Sequence, residues 1–429
     1  MLPYLLLFPW LLGLPQEPRP SASLLLTGAR VLAPEGDRWI EGAALLVRGE
    51  RIEAVAPLDE LEESGRERGI EGARRIDLAG LFLVPGLIDL HSHLLLHPYD
   101  EAPWDDQVLR ESLELRTIRA VPAARATLEA GFTTLRELGT EGAGFADVAL
   151  RDAIASGIVA GPRLFVATRA IVATGAYGPA GFDPRWDVPK GAQVADGVDG
   201  VRRAVREQVA AGADWIKVYA DYRRRRGEAA TPTFSPQELA ALVDEAHSAG
   251  RPVAAHAVTD EGVARAVQAG VRTIEHGDGA SLETLVLMKE RGVALCPTLA
   301  AVEALARYGG FEPGEPEPPR LAAARALVAR AKSAGVTIAC GSDVGVFAHG
   351  ENAREIELLV ASGLTPVEAL RAATSTAAAL VGRERELGRI APGFRADLVA
   401  LARDPLGDPS ALRTVRIVFA NGRVVLERR

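Results

Sequence analysis

The chain has 429 residues, 48% hydrophobic and 25% charged, a composition that suits a globular protein of one large domain with an appendage, or of two to three smaller ones. A disordered chain, a coiled-coil rod and a polytopic membrane protein are excluded. With 49 basic against 57 acidic residues the net charge is −8, so the sequence shows no basic footprint for nucleic acid.

Met1 to Leu14 are nearly all apolar, but a bilayer span takes about 20 such residues, and the small residues Ser21, Ala22 and Ser23 follow. Residues 1–23 therefore read as a secretory signal peptide, which implies a periplasmic or secreted protein. The missing positive n-region, with Pro3 and Pro9, leaves an apolar tail on a cytoplasmic protein as the alternative. Residues 24–85 then hold short alternating segments with glycine turns, and residues 388–429 hold similar ones. Asn421-Gly422, between VRIVFA and RVVLE, is a hairpin signature. Neither end has enough strands for a sheet of its own, so the expectation is one small β-sandwich domain formed by both chain ends.

Between them, residues 86–387 repeat one punctuation mark. Seven times a helix-like stretch ends in glycine (Gly131, Gly157, Gly212, Gly250, Gly270, Gly292, Gly335) and opens at once into an apolar, β-rich run. Glycine closes helices because it enters the left-handed region without a Cβ penalty. With LIDLHSH at 87–93 as the first strand, eight strands alternate with helices. That pattern predicts an α/β fold with a parallel sheet covered on both faces, and eight units favour a closed (β/α)8 TIM-like barrel over an open sheet. FEPGEPEPPR, residues 311–320, reads as an extended loop after strand 7, a spacer or a cover for the barrel mouth. Cys296 and Cys340 lack metal-ligand spacing and read as core thiols.

Barrel chemistry sits at the C-terminal ends of the strands. There the first strand carries His91 and His93, two residues apart and so on one side. Strand 4 carries Lys217, strand 5 ends in His256, strand 6 in His276 and strand 8 in Asp343. A lone buried histidine is more often a core residue than a ligand, but four of the seven histidines fall on these strand ends. Imidazole and carboxylate donors suit zinc-class divalent ions at a catalytic site. Lys217 repels a cation while charged; burial lowers its pKa, and the neutral amine can take up CO2 as a carbamate able to bridge two metals. A buried ion pair with Asp343 or Asp221 would be the plainer reading of that lysine alone, but beside four histidines the carbamate is favoured.

PGLIDLHSH, IKVY, AAHA, IEHG and GSD together resemble the motifs of the amidohydrolase superfamily, and the resemblance runs from about residue 24 to the C-terminus. Within it the chain is similar to the imidazolonepropionase-like and Xaa-Pro dipeptidase-like branch, and Lys217 favours the two-metal, dipeptidase-like members. The resemblance implies one metal on His91, His93 and Asp343 and another on His256 and His276. Carboxylated Lys217 and a hydroxide would bridge them. Zinc is the first choice, although N and O donors do not separate it from manganese, cobalt or iron. Asp343 would shuttle the proton to the departing amine, and Tyr219, on the side of Lys217, would donate to the tetrahedral intermediate or to a substrate carboxylate. His97, Arg223 in the run Arg223 to Arg226, and His349 are candidate substrate contacts. Tyr177 stands where many relatives have a histidine. The implied partner is a small amide, a dipeptide or an N-acyl amino acid; cyclic amides, imidazolones and lactones are the alternative, and a non-enzymatic interaction protein is disfavoured because every ligand is present.

Overall fold

The computed structural model describes residues 23–63, 70–183, 185–225 and 227–428, so the expected signal peptide, apart from Ser23, and Arg226 lie outside the described residues. All seven punctuating glycines have positive φ. At Gly270, Gly292 and Gly335 the glycine is itself the left-handed C-cap, and its N–H returns to carbonyls of the helix it ends.

The apolar runs that follow form parallel strands. Leu87–Ser92, Phe132–Glu137 and Arg163–Val166 make a three-stranded parallel sheet. A six-stranded parallel sheet runs in the order Gln193–Val194, Ile171–Val172, Ile216–Tyr219, Val253–Ala257, Thr273–His276 and Ala294–Cys296. Helices alternate with these strands, and strands such as Ile216–Tyr219 and Thr273–His276 are buried on both faces, as a covered parallel sheet requires. The run after Gly335 that ends in Asp343, expected as the eighth strand, forms no ladder: the only bridges there among the described residues are the isolated parallel ones of Leu295 to Ile338 and, just beyond the run, of Ser92 to Val344. At the end of the run Asp343 has φ +61°, which takes the chain out of the extended conformation there.

The two chain ends meet as expected. Leu398–Leu401 pairs antiparallel with Phe82–Pro85 on one side and with Val415–Ala420 on the other. The hairpin after Ala420 turns through Asn421 and Gly422, at φ +48° and +71°, the sign at both positions that a type I′ turn needs. Contrary to the expectation that neither end has enough strands for a sheet of its own, residues 23–77 alone form a second, four-stranded sheet that carries Ser23–Thr27 between Ala43–Arg48 and Arg74–Asp77. Leu24, Leu26 and Leu45 of that sheet share one apolar cluster with Leu398, Ala400 and Phe419 of the other. Each such fully buried large side chain contributes about 1.5–3 kcal/mol. Cys296 and Cys340 are buried free thiols.

Helix Pro319–Ala334 begins inside the proline-rich segment, so residues 311–318 are a short link and Arg320 lies in a first helical turn. Among the described residues no helix is long and apolar enough to cross a membrane.

Candidate metal centre

Asp89, in the middle of Leu87–Ser92, ties the first strand to the Gly341–Asp343 turn. Its carboxylate accepts from the backbone N–H groups of His91 (3.0 Å) and Ser342 (2.9 Å), from the Ser342 hydroxyl and from Asn352 Nδ2 (2.8 Å). The Asp343 N–H donates to the His91 carbonyl (2.7 Å), and the His93 N–H donates to the Val344 carbonyl (2.9 Å). Two glycines allow this approach: a Cβ on Gly341 would lie 3.0 Å from His91 Cβ, and one on Gly345 would lie 2.6 Å from the His93 carbonyl oxygen. The result places Asp343 Oδ1 3.5 Å from His91 Nε2 and 3.3 Å from His93 Nε2. The three ligand atoms lie within 4.8 Å of one another.

The imidazoles are oriented from behind. His91 Nδ1 lies 2.9 Å from Glu275 Oε2, His93 Nδ1 donates to the Gly139 carbonyl (2.9 Å), and His276 Nδ1 lies 2.7 Å from Thr298 Oγ1. With Nδ1 engaged, each ring has Nε2 available as a ligand, the arrangement by which proteins set metal-binding histidines. The donor set therefore fits a divalent ion.

Lys217, His256 and His276 converge on the same place. The His256 ring centroid is 4.5 Å from that of His276, which is 5.4 Å from that of His91. Tyr219 stacks on His256 at 4.5 Å, and Lys217 Nζ is 5.7 Å from the Tyr219 ring centroid. Asp221 is not the partner of Lys217: its carboxylate accepts from the N–H groups of Val258 and Thr259 and from the Thr259 hydroxyl.

Burial dominates the charge states. It lowers Lys217, and it holds His91 at about 4 and His256 and His276 well below the ordinary imidazole range, with Lys217 adding to each depression. His93 is the exception: burial lowers it, but the adjoining Asp343 carboxylate outweighs burial and raises it to about 9. Asp343, although burial raises it, is held below its usual value by His91 and His93. Perturbed groups clustered in this way are a feature of functional sites.

The cluster lies in a cavity of about 630 Å³ walled by Tyr99, Trp104, Tyr177, Tyr219 and Tyr222, with Arg223 and Arg320 on its lining. A shallower groove of about 410 Å³ lies elsewhere, at the N-terminal ends of the strands, beside His247, Arg251 and Arg272. Of the expected substrate contacts, Tyr177 and Arg223 line the cavity; His97 and His349 do not. His97 is engaged by Glu101 and Glu111, and His349 Nε2 donates to the Leu96 carbonyl.

Sequence reasoning missed Glu275, Arg136, Glu141 and Arg320. Glu275 and Arg136 could have been noticed as charges inside otherwise apolar strands; Glu141 and Arg320 carried no motif. Glu141, His276, Thr298 and Asp343 all have positive φ without being glycine, a clustering of strained backbone typical of functional sites.

The amidohydrolase family model matches residues 82–425. The chain belongs to the amidohydrolase family. It is 31% identical to an ochratoxinase of Aspergillus niger over 418 residues, covering 90% of this chain and 83% of that one. Among solved structures it is similar to a prolidase complexed with N-methylphosphonate-L-proline (34% identity, TM-score 0.81, 95% of this chain and 100% of that one). It is also similar to a Xaa-Pro dipeptidase with bound methionine in its active site (31% identity, TM-score 0.82, 94% and 100%). The amidohydrolase described here is a metal-dependent hydrolase of C–N bonds, and its His91, His93 and Asp343 form a metal-binding cluster.

Proposed function

We propose that this amidohydrolase is a binuclear dipeptidase, with His91, His93 and Asp343 holding one divalent ion and His256 and His276 the other. Lys217, as its carbamate, would bridge the two. The observation that carries the reading is the approach of Asp343 Oδ1 to both His91 Nε2 and His93 Nε2, with the imidazoles of His256 and His276 lining the same cavity and the buried Lys217 near the Tyr219 ring that stacks on His256. Burial supports the carbamate, because a neutral amine is the form that adds CO2. Two zinc-class ions supply Lewis acidity that lowers the pKa of water and polarises a carbonyl.

The chain's own groups then do the rest. Asp343 accepts the proton released as the carbonyl is attacked and returns it to the departing amine nitrogen. Tyr219 stays protonated, since burial and then Glu141 raise its pKa well above the ordinary value, and it donates to the carbonyl oxygen as that oxygen gains charge. Arg223 binds the substrate carboxylate at the cavity rim. Dipeptides are favoured by the similarity to the prolidase and to the Xaa-Pro dipeptidase.

Around this site residues 86–387 would close a (β/α)8 barrel, residues 24–85 and 388–429 would form a β-sandwich, and residues 1–23 would be cleaved on export. The test is metal analysis of gently purified protein, followed by hydrolysis of dipeptides, N-acyl amino acids and cyclic amides. Two equivalents of metal with dipeptide cleavage are expected. Metal-free protein, or cleavage of cyclic amides or lactones alone, would overturn the reading.

A further inference from the structure

Glu141 is outside the metal cluster yet lines the same cavity. It is 2% exposed, and its φ of +50° persists in a non-glycine residue only where the surroundings hold it. Arg116 supplies that hold, donating to the carbonyl oxygens of Glu141 (2.6 Å), Thr140 (3.1 Å) and Leu95 (2.9 Å). Its guanidinium is therefore engaged by backbone and not by the Glu141 carboxylate. Oε2 of that carboxylate accepts from Trp104 Nε1 (3.0 Å) and from the Tyr177 hydroxyl. Among the described residues nothing donates to Oε1, and no lysine, arginine or histidine forms an ion pair with either oxygen.

Oε1 borders the metal cluster. A Cβ placed on Gly139 would lie 3.3 Å from it and 3.7 Å from Cε1 of His93. Aromatic rings close the space: Tyr177 is 4.9 Å from Trp104, 4.5 Å from Tyr219 and 5.1 Å from Tyr222, centroid to centroid. Ring faces attract cations, and a buried carboxylate is costly without a positive partner.

We infer that Glu141 binds the free α-ammonium group of an aminoacyl substrate, with the surrounding tyrosine and tryptophan rings excluding water from the pair. This rests on the dipeptidase reading and narrows it. In a dipeptide the ammonium is one carbon from the scissile carbonyl, so a carboxylate beside His93 meets it when that carbonyl is at the metal cluster. An N-acyl amino acid presents no charge there and forfeits the contact.

L-alanine hydroxamate and propionohydroxamic acid share a metal-binding group and differ by the ammonium alone. Titration calorimetry of the zinc-loaded full-length protein with each is expected to show the alanine compound bound about tenfold to hundredfold tighter, the range of a charge-assisted hydrogen bond. In Glu141→Gln that preference is expected to vanish while propionohydroxamic acid binds as before. Equal binding of the two compounds by the wild type, which needs no variant to fold, would overturn the ammonium site and leave the metal centre standing. So would a Glu141→Gln protein in which both compounds weaken alike. Failure of both compounds to bind the wild type would overturn the metal reading, and this inference with it.

Discussion

Glu275 faces two ways: Oε2 lies 2.9 Å from His91 Nδ1, and Oε1 accepts from Arg136 Nη2 at 2.8 Å. Both side chains of that ion pair are fully buried. Arg136 is fixed further by the Leu90 carbonyl (2.6 Å) and the Thr273 hydroxyl (3.0 Å), and lies over the Trp215 ring at 4.4 Å. The carboxylate thus sets the tautomer of a metal ligand while neutralising a cation that has no route to water. Glu275→Gln should weaken metal binding by about 10- to 100-fold, the usual effect of removing a partner behind a ligating histidine. Competition against a chelator of known affinity measures it. The same change leaves Arg136 buried without its counter-charge, so a loss of about 3–5 kcal/mol in denaturant unfolding should accompany it.

Asp343 has a ligand's position and a proton carrier's chemistry. Asp343→Asn keeps the shape and one oxygen donor but cannot take up a proton. Metal content should remain near that of the wild type, while kcat falls by about 10²- to 10⁴-fold, the typical contribution of general acid–base catalysis. Steady-state kinetics beside metal analysis of the same preparation separates the two effects; near-normal turnover in the fully loaded variant would remove the proton role.

Lys217 is tested by stoichiometry. If Lys217 is the proposed bridge, Lys217→Ala should lower bound metal from two equivalents towards one, and the carbamate carbon resonance expected of wild-type protein prepared in 13C-bicarbonate should be absent from the variant. Two tightly held metals in the alanine variant would show that the lysine is no bridge.

Stability should fall with rising pH because of a buried acid away from the reacting atoms. Burial raises Glu355 from 4.5 to about 8, its carboxylate accepts from the Ala300 N–H (2.7 Å), and its Oε1 is buried with no hydrogen-bond partner among the described residues. A carboxyl held neutral in the folded state binds its proton more tightly there than in the unfolded chain. Its stabilising contribution is complete below the unfolded pKa and is lost as pH rises through the folded one, a window from 4.5 to about 8. Glu355→Gln keeps an acceptor for Ala300 and has no charge to bury. Its melting temperature, measured by scanning calorimetry on metal-free protein, should match the wild type near the lower end of that window and exceed it by a few degrees at the upper end.

The residues legible in the sequence share one property: each breaks a local pattern at a strand end. His91, His93, His256, His276 and Asp343 terminate apolar runs, and glycines mark where those runs begin. Glu275 and Arg136 sit inside strands, where a charge runs against the rule of apolar burial and is explained only by its partner 139 residues away. Glu141, in a turn, is held by Arg116 of helix Leu113–Glu129, and Arg320 reaches the cavity because a proline-rich stretch becomes a helix at Pro319. Such placements follow from tertiary contacts that no spacing encodes. The eighth strand was legible as an apolar run but not as a turn, because the left-handed Asp343 has no sequence signature of the kind glycine provides.

The pairing of Leu398–Leu401 with Phe82–Pro85 has a temporal side. Phe82–Pro85 leads through Gly86 directly into the strand that bears His91 and His93, and a Cβ at Gly86 would overlap Thr133 Oγ1 at 2.1 Å, so this joint has no slack. Its neighbour in the sheet leaves the ribosome about 300 residues later. A nascent chain stalled before residue 398 holds the first two imidazoles on a strand whose flank is still bare, and cannot present them as the finished protein does.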